Sequence, residues 1–301
     1  MTEMIISQHR ANRTNRQRRV GMLWLDLTRK CSLDCTHCYN ASGPAGTHGA
    51  MTRADWIAVL DQAAEYGVTR VQLIGGEPTL HPDFAGLLAR ALTLGIRTQV
   101  FTNLVYVKPT WWEVLGRPGA SLATSYYSAD PAEHNAVTRR PSHAKTEANI
   151  ATALRFGIPL RVGIVRINER QDVPAAIARL RGLGVTDIGV DNERPYGRAG
   201  GSTDPRRLCG RCGMARAAID PYGNVSPCIM STWVRVGNVR VRPLQAILDG
   251  GALTQATTVI QRAVPVRNGC DPDGSGGGGS GGCDPGCACA PDAYPCYPSN
   301  E

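Results

Sequence analysis

Residues 22–38 read Met-Leu-Trp-Leu-Asp-Leu-Thr-Arg-Lys-Cys-Ser-Leu-Asp-Cys-Thr-His-Cys, an apolar run followed by three closely spaced cysteines. The run at residues 22–27 is short and rich in apolar side chains, which predicts a buried β-strand. Cys31, Cys35 and Cys38 then stand in the loop after that strand, with C-x3-C-x2-C spacing. In barrels of alternating strands and helices, the loops at the carboxyl ends of the strands carry the active site. The stretch therefore predicts a barrel of alternating strands and helices, with the active site in the loop after its first strand.

The spacing of the three cysteines is typical of an iron–sulfur site with an open position. A [4Fe–4S] cubane is normally held by four thiolates, so Cys31, Cys35 and Cys38 would leave one iron without a protein ligand. An open coordination position separates a catalytic metal site from a closed structural one, and we expect a small molecule to bind there. The spacing alone leaves open a zinc site of three cysteines or chance clustering.

Outward from this loop, residues 21 to about 195 alternate β-rich runs with amphipathic helical stretches, the pattern of βα units around a parallel sheet. The predicted strands are residues 22–27, 70–74, 98–102, 121–125, 160–165 and 187–190. The predicted helices are residues 53–65, 82–94, 142–156 and 173–183. A closed eight-stranded barrel takes about 250 residues, so we predict an α/β fold with a partial (β/α)6 TIM-like barrel. A flat doubly wound sheet is the alternative.

The composition limits the class of protein. Of 301 residues, 42% are hydrophobic and 19% are charged, as in soluble globular proteins, and eleven are cysteines. No apolar stretch approaches the roughly 20 residues that span a bilayer, and the Arg-rich residues 1–20 lack the apolar core of a secretory signal. These features predict a cytoplasmic protein, in which cysteines serve metal binding or catalysis rather than disulfides.

The net charge of +8 raises the question of a nucleic-acid partner. The basic residues are almost all arginine, because Lys30, Lys108 and Lys145 are the only lysines. This preference for arginine over lysine, together with abundant Ala and Gly, indicates a bias in the codon composition of the gene rather than a phosphate-binding face. We therefore do not expect a nucleic-acid partner, and an acidic peptide suits the same charge.

A second motif, Gly75-Gly76-Glu77-Pro78, directly follows the second predicted strand. Paired glycines let the backbone approach a ligand closely, and a carboxylate accepts hydrogen bonds from an ammonium group. A three-cysteine loop after the first strand and this motif after the second together resemble the radical S-adenosylmethionine (SAM) superfamily. The resemblance covers residues 21 to about 195.

The resemblance implies a partial barrel in which Cys31, Cys35 and Cys38 ligate one [4Fe–4S] cluster. In that family the amine and carboxylate of SAM chelate the fourth iron. One electron then cleaves SAM, and the resulting 5′-deoxyadenosyl radical abstracts hydrogen from the substrate. On this chain Glu77, with the Gly75 and Gly76 backbone and Pro78 completing the motif, would hold the methionyl amine.

Further SAM contacts are implied by softer correspondences. His37 stands where the family usually has an aromatic residue near adenine, and Tyr39 shares that task. Asn103 ends a segment that lies near SAM in the family. Ser125 and Arg139 belong to a segment that resembles the fourth-strand motif for the SAM carboxylate and ribose, although Tyr127 replaces the family's Asp. A core serine and solvated arginines are the alternative interpretation.

The sequence changes character after residue 196. Cys209-x2-Cys212, a segment ending in Cys228, and a helix over residues 243 to about 264 resemble the SPASM/twitch extension that binds auxiliary [4Fe–4S] clusters. Residues 220–223 read Asp-Pro-Tyr-Gly, a hairpin signal that returns Cys228 toward Cys209 and Cys212. The resemblance implies that these three thiolates bind an auxiliary cluster, with Cys270 the first candidate for the fourth ligand.

The tail does not reproduce the cysteine spacing of the family. A Gly/Ser run at residues 274–282 predicts a flexible linker. Beyond it stand Cys283, Cys287, Cys289 and Cys296. These four cysteines could bind a second auxiliary cluster or zinc, or one of them could donate a hydrogen atom; the sequence leaves these roles open. The predicted domains are a basic N-terminus (1–20), the radical SAM core (21–196), the auxiliary cluster domain (197–270) and the linker with tail (271–301).

SPASM-bearing members of the superfamily mostly modify ribosomally made peptides or protein side chains. The resemblance thus implies an enzyme that matures a ribosomal peptide by cross-linking, epimerisation or oxidation. Implied partners are a peptide substrate, a separate leader-binding protein and a flavodoxin- or ferredoxin-type electron donor. Formylglycine formation is disfavoured, because those relatives have Asp after the cysteine that matches Cys228, whereas this chain has Ile229. The alternatives are a cofactor-biosynthetic radical SAM enzyme and a non-catalytic iron–sulfur or zinc protein for electron transfer or binding.

Overall fold

The strands of the computed structural model, which describes residues 19–264, form one sheet in the order β6-β5-β4-β3-β2-β1-β7-β8-β9. They are β1 Met22–Asp26, β2 Arg70–Ile74, β3 Arg97–Phe101, β4 Ala120–Tyr126, β5 Leu160–Arg166, β6 Asp187–Asn192, β7 Arg216–Ile219, β8 Asn224–Ser226 and β9 Gly237–Asn238. The first six are parallel and neighbour one another in chain order. A doubly wound sheet reverses its strand order at a switch point, so this order confirms the partial (β/α)6 barrel.

Eight α-helices lie within the described residues, and most of them contribute side chains to the main apolar core. They are α1 Arg53–Tyr66, α2 Phe84–Thr93, α3 Trp111–Leu115, α4 Pro131–Thr138, α5 His143–Arg155, α6 Val173–Gly182, α7 Leu244–Leu248 and α8 Gly251–Ala263. The four predicted helices of the barrel form as α1, α2, α5 and α6. The sequence prediction missed α3 and α4. None of the helices in residues 19–264 has the length and apolar character needed to cross a lipid bilayer.

Both faces of β1 are buried, and each face packs against a different cluster. Leu23 and Leu25 belong to the main apolar core beneath the helices. Met22 and Trp24 point the other way, into a second apolar cluster that also contains Cys212 and Cys228. Since successive side chains of a strand alternate between faces, this division places the C-terminal segment over the inner face of the barrel.

The C-terminal segment also continues the sheet. β7 pairs in parallel with β1, from Met22 opposite Arg216 to Leu25 opposite Ile219. β7 and β8 form the predicted antiparallel hairpin, in which the amide of Gly223, at φ +83°, donates to Asp220 O over 2.9 Å. The extension is thus joined to the open edge of the barrel by backbone hydrogen bonds.

One predicted helix is interrupted in the structure. The single helix expected over residues 243 to about 264 is two helices, α7 and α8, separated at Asp249 and Gly250. Gly250 has extended backbone angles (φ −74°, ψ 150°), and Gly251 begins α8. Consecutive glycines disfavour a continuous helix because the helix restricts their backbone more than that of any other residue.

Candidate active site

The loop of Cys31, Cys35 and Cys38 is held from two sides at the carboxyl end of β1. On one side, the amide of Cys31 donates to Gly43 O over 3.0 Å. On the other side, the amides of Asp34 and Thr36 donate to carbonyls in the last turn of α4, at 3.2 and 2.9 Å. Both contacts are to backbone groups, so the path of the loop is fixed independently of its thiols.

The three thiols line one cavity of about 250 Å³ at the carboxyl ends of the strands. Burial raises the pKa of Cys31 and of Cys35 to about 12. Iron would displace these protons, because cysteine binds metal as the thiolate. No group of three or more His, Cys, Asp or Glu side chains in residues 19–264 is arranged to hold a single metal ion. A cubane, in contrast, binds each thiolate at a separate iron.

The Gly75-Gly76 turn packs directly against the cysteine loop. The amide of Gly76 donates to Thr28 O over 2.6 Å, and the amide of Glu77 donates to Lys30 O over 2.9 Å. A Cβ atom on Gly76 would lie 2.4 Å from Lys30 O, and one on Gly75, at φ +153°, would lie 2.6 Å from Thr28 O. Only glycine fits this approach, which explains the pair. Both glycines line the cavity.

The carboxylate of Glu77 does not line the cavity, although the resemblance implies that it holds the methionyl amine. Its Oε1 accepts from Thr79 N, Thr79 Oγ1 and Thr102 Oγ1 at 3.1, 2.7 and 2.8 Å, and its Oε2 accepts from Asn103 N at 2.7 Å. Burial raises the pKa of this carboxyl. Glu77 and Pro78 are both buried and are not among the residues lining the cavity. Here Glu77 ties the glycine turn to the end of β3.

The other predicted SAM contacts divide into two groups. His37, Tyr39, Asn103 and Ser125 line the cavity. Arg139 is the exception, because its side chain is 54% exposed, forms an ion pair with Asp34 at 3.6 Å and does not line the cavity. Arg139 ends α4 in a left-handed conformation (φ +55°). The structure therefore does not place Arg139 where the resemblance implies a carboxylate contact.

Aromatic rings form part of the cavity wall. The Tyr127 ring meets the His37 and His134 rings edge-on, with centroids 5.1 and 5.2 Å away. Burial lowers the pKa of both histidines to about 4, with the Arg198 charge adding to the effect at His37 and the His143 charge at His134. Both imidazoles are therefore neutral near pH 7.

The cavity wall presents several buried polar atoms that have no hydrogen-bond partner within residues 19–264. These atoms are Trp24 Nε1, His37 Nδ1, Tyr39 OH, Ser42 Oγ, His134 Nδ1 and Arg198 Nη2. Buried polar groups are otherwise nearly always paired. The wall therefore suits a ligand that carries both donors and acceptors along its length, as SAM does with its amine, carboxylate, ribose and adenine.

Ser42 and Arg198 are among the residues of this set that were not predicted from the sequence. Arg198 follows β6 in the segment Gly197-Arg-Ala, and its place after a barrel strand was the available signal. Ser42 stands shortly after the third cysteine in a segment without regular structure, where no pattern marks it.

A second group of thiols lines the same cavity. The Cys212 side chain hydrogen-bonds to those of Cys209 and Cys228, which lowers the pKa of Cys209 and of Cys228 and raises that of Cys212. The amide of Met230 donates to Cys228 Sγ over 3.2 Å. The hairpin thus brings Cys228 to Cys209 and Cys212, as predicted. The candidate fourth ligand, Cys270, lies outside the described residues, as do Cys283, Cys287, Cys289 and Cys296.

Two family models match the chain. The radical SAM superfamily model matches residues 25–189, and the SPASM model, an iron–sulfur cluster-binding domain, matches residues 209–271. Over 176 residues the chain is 31% identical to the PqqA peptide cyclase of Xanthomonas campestris pv. campestris strain B100, covering 58% of this chain and 47% of that protein. The PqqA peptide cyclase of Gluconobacter oxydans is 29% identical over 178 residues, covering 58% and 50%. The chain spans about half the length of these curated relatives.

Solved structures share the fold. The crystal structure of Streptococcus suis SuiB bound to precursor peptide SuiA superposes with a TM-score of 0.67 at 17% identity, covering 79% of this chain and 66% of that one. The anSMEcpe structure with bound AdoMet and Cp18Cys peptide gives a TM-score of 0.64 at 14% identity, covering 79% and 82%.

The site and the matches agree on the cofactors. Three buried thiols, a glycine turn pressed against their loop and a wall of unpaired polar atoms fit a [4Fe–4S] cluster with SAM. The second thiol group coincides with the SPASM match, which implies an auxiliary iron–sulfur cluster. The radical SAM superfamily model matches more than half of the residues of this chain, and the chain therefore belongs to the radical SAM superfamily.

Proposed function

We propose that this chain is a radical SAM enzyme that modifies a peptide. One observation carries the chemistry: the loop of Cys31, Cys35 and Cys38 and the turn of Gly75 and Gly76 pack together and line one cavity. When bound there, the cluster and SAM would supply radical chemistry that can remove a hydrogen atom from the substrate.

The residues of the chain would bind and orient SAM and shield it from solvent. Gly75 and Gly76 offer close backbone contacts for the methionyl amine, and Asn103 and Ser125 line the cavity beside them. Apolar side chains, which include Trp24 and Phe101, form much of the lining and would limit the access of water to a bound ligand. A closed site protects a reactive intermediate from side reactions with solvent.

We further propose that Cys209, Cys212, Cys228 and Cys270 bind one auxiliary [4Fe–4S] cluster, in a domain of residues 197–270. The SPASM match extends to residue 271 and so includes Cys270. Ile260 of α8 belongs to the apolar cluster that contains Cys212 and Cys228. The six residues from Val264 to Cys270 can span about 20 Å, at roughly 3.3–3.6 Å per residue, which is the reach available for Cys270 to act as the fourth ligand.

The peptide substrate is supported by the relatives. The chain is similar to a PqqA peptide cyclase, and its fold is that of a SuiB structure bound to a precursor peptide. A leader-binding protein, a flavodoxin- or ferredoxin-type electron donor and a cytoplasmic location complete the proposal. The cytoplasm would keep these thiols reduced and available to iron.

The test begins with anaerobic reconstitution, followed by SAM and a reductant. We expect 5′-deoxyadenosine, and its absence from fully loaded protein would reject the radical SAM activity. Replacing Cys31, Cys35 and Cys38 together by Ala should remove about four irons per chain and abolish that product. Replacing Cys209, Cys212 and Cys228 by Ala is the matched control, which should remove the auxiliary iron and leave the SAM cluster.

The substrate class needs a separate measurement. Short peptides encoded beside the gene would be incubated with the loaded enzyme, SAM and reductant, and then analysed by tandem mass spectrometry. A mass change confined to one peptide and dependent on Cys31, Cys35 and Cys38 would support peptide modification. 5′-Deoxyadenosine formed with a small molecule, and with no peptide, would favour a cofactor-biosynthetic enzyme instead.

A further inference from the structure

The connector after β6 packs against the cysteine loop. Gly197 has φ +53°, and a Cβ atom on it would lie 2.2 Å from Cys38 O and 2.5 Å from Tyr39 O. The amide of Arg198 donates to the same Cys38 carbonyl over 3.0 Å. The position of Arg198 is therefore set by backbone contacts with the loop that carries the thiols.

The Arg198 guanidinium is held on two of its three nitrogens. Nε donates to Cys35 O over 2.7 Å, and Nη1 forms an ion pair with Asp34 at 3.3 Å. Nη2 is buried, has no partner within residues 19–264, and belongs to a side chain that lines the cavity. Because the other contacts fix the planar group, Nη2 is a preorganised donor in a side chain that lines the cavity.

Ser42 supplies a second unpaired donor close by. Its hydroxyl is buried, has no partner among the described residues and also lines the cavity. A Cβ atom on Gly76 would lie 2.9 Å from Ser42 Cβ, and one on Gly43 would lie 3.8 Å from Arg198 Nη1. Ser42 therefore lies between the glycine turn and the guanidinium.

We propose that Arg198 Nη2 and Ser42 Oγ bind the carboxylate of SAM, a proposal that rests on SAM binding at this site. The amine and the carboxylate of SAM are attached to one carbon, so donors for the carboxylate must lie beside the turn that receives the amine. A guanidinium and a hydroxyl are suited to a carboxylate, because charge-assisted hydrogen bonds are the strong ones. Arg139, the residue implied by the resemblance, also pairs with Asp34 but does not line the cavity.

The experiment measures the affinity of anaerobically reconstituted protein for SAM and for decarboxylated SAM by equilibrium dialysis. A hydrogen bond to a charged group contributes about 1.5–3 kcal/mol, so Arg198→Gln should weaken SAM binding by about tenfold or more. Ser42→Ala should weaken it by about fivefold. Both variants should bind decarboxylated SAM about as well as the parent protein does.

Three further measurements make the result decisive. Iron and sulfide are counted in every variant, and the EPR spectrum of the reduced cluster is recorded with and without SAM. Arg206→Gln is the matched control, because Arg206 is an exposed arginine nearby that pairs with Asp204. If Arg198→Gln loses its iron, Ser42→Ala, which removes one hydroxyl, decides the outcome.

Two outcomes overturn the assignment. In the first, Arg198→Gln and Ser42→Ala, with full iron, bind SAM as tightly as the parent. In the second, Arg139→Gln weakens SAM binding more than either of them. If the fully loaded parent protein neither binds SAM nor changes its EPR spectrum, then the proposed function fails, and that failure is distinct from a wrong carboxylate contact.

Discussion

At the scale of single residues, the buried carboxylate of Glu77 joins two barrel strands. Four donors from Thr79, Thr102 and Asn103 converge on it. Glu77→Ala would leave these donors unpaired, at a cost of about 1–3 kcal/mol for each one that water cannot reach. We expect the free energy of unfolding to fall by about 3 kcal/mol or more, measured by chemical denaturation under anaerobic conditions.

Glu77→Gln is the matched variant for this prediction. Its amide oxygen can accept the three hydrogen bonds made to Oε1, while its NH₂ group would face the amide of Asn103. An intermediate loss of stability is therefore expected. If Glu77→Ala unfolded at the same denaturant concentration as the parent, the carboxylate would not act as the tie described above.

His134 gives the stability of the fold a dependence on pH. Its folded pKa is lowered to about 4 from the ordinary value of 6.5, so the unfolded chain binds the proton more readily between these values. Its contribution is complete above about pH 6.5 and is lost as pH falls toward 4. By pH 5 the loss is about 2 kcal/mol. His134→Asn should reduce the difference in unfolding free energy between pH 7 and pH 5 by this amount, and an undiminished difference would contradict the assignment.

The sequence shows which residue types stand at the ends of the strands. It does not show where a side chain lies when its position depends on how segments distant in sequence pack together. Cys31, Cys35, Cys38, Gly75 and Gly76 all reach the predicted cavity, because carboxyl ends of parallel strands meet at one edge of a sheet. Arg139 and Glu77 do not line the cavity, although the resemblance implies SAM contacts for both, because the position of a contact depends on the direction in which one side chain leaves the backbone. Sequence spacing does not specify that direction.

At the scale of elements, α8 approaches the segment of the auxiliary thiols closely at Gly213. A Cβ atom on Gly213, which has φ +76° and follows Cys212, would lie 1.8 Å from Thr257 Oγ1 of α8. Gly213→Ala should therefore displace α8, lower the free energy of unfolding by about 2 kcal/mol or more, and reduce the auxiliary iron. Iron analysis together with denaturation measures both effects.

Two controls accompany Gly213→Ala. Gly182→Ala, at the end of α6, has no atom within 4 Å of the added Cβ and should leave stability unchanged or raise it by up to about 1 kcal/mol. Thr257→Ala combined with Gly213→Ala should restore part of the loss, because it removes the contacting hydroxyl. Full auxiliary iron in Gly213→Ala would show that α8 does not depend on this contact.

The predicted strands agree closely with the observed ones, because short apolar runs between turn residues are distinctive. α4 was missed although Asp130 caps it and Pro131 begins it, since the surrounding segment was interpreted as a binding motif. The break between α7 and α8 was missed because the apolar pattern continues across Gly250 and Gly251. In both cases local residue types, the Asp-Pro pair that begins α4 and the Gly-Gly pair between α7 and α8, determined where a helix begins or ends.

At the scale of the whole molecule, the barrel depends on the extension. β7 pairs with β1, and the extension covers Met22, Trp24 and Ile74 on the inner face of the sheet. A chain ending at residue 200 would expose this face and the β1 edge, and unpaired edges favour aggregation. We expect the fragment to aggregate in light scattering and to hold less iron than the parent at Cys31, Cys35 and Cys38.

A monomeric fragment with about four irons per chain would contradict this dependence. The pairing of β7 with β1 was not predicted, because the two strands lie far apart in the sequence and no local pattern records which edge a strand joins. The turn sequence Asp-Pro-Tyr-Gly at residues 220–223 indicated that the C-terminal segment forms a hairpin. Its place in the sheet follows only from the open edge that the partial barrel leaves.

The pairing of β1 with β7 also has a consequence for how the protein is made. Met22 leaves the ribosome long before its partner Arg216, and during that interval the inner face with Trp24 and Ile74 has no cover. The nascent barrel is then open to iron delivery and to chaperones. Translation of β7 ends this interval, because β7 then pairs with β1 and the extension can cover the inner face.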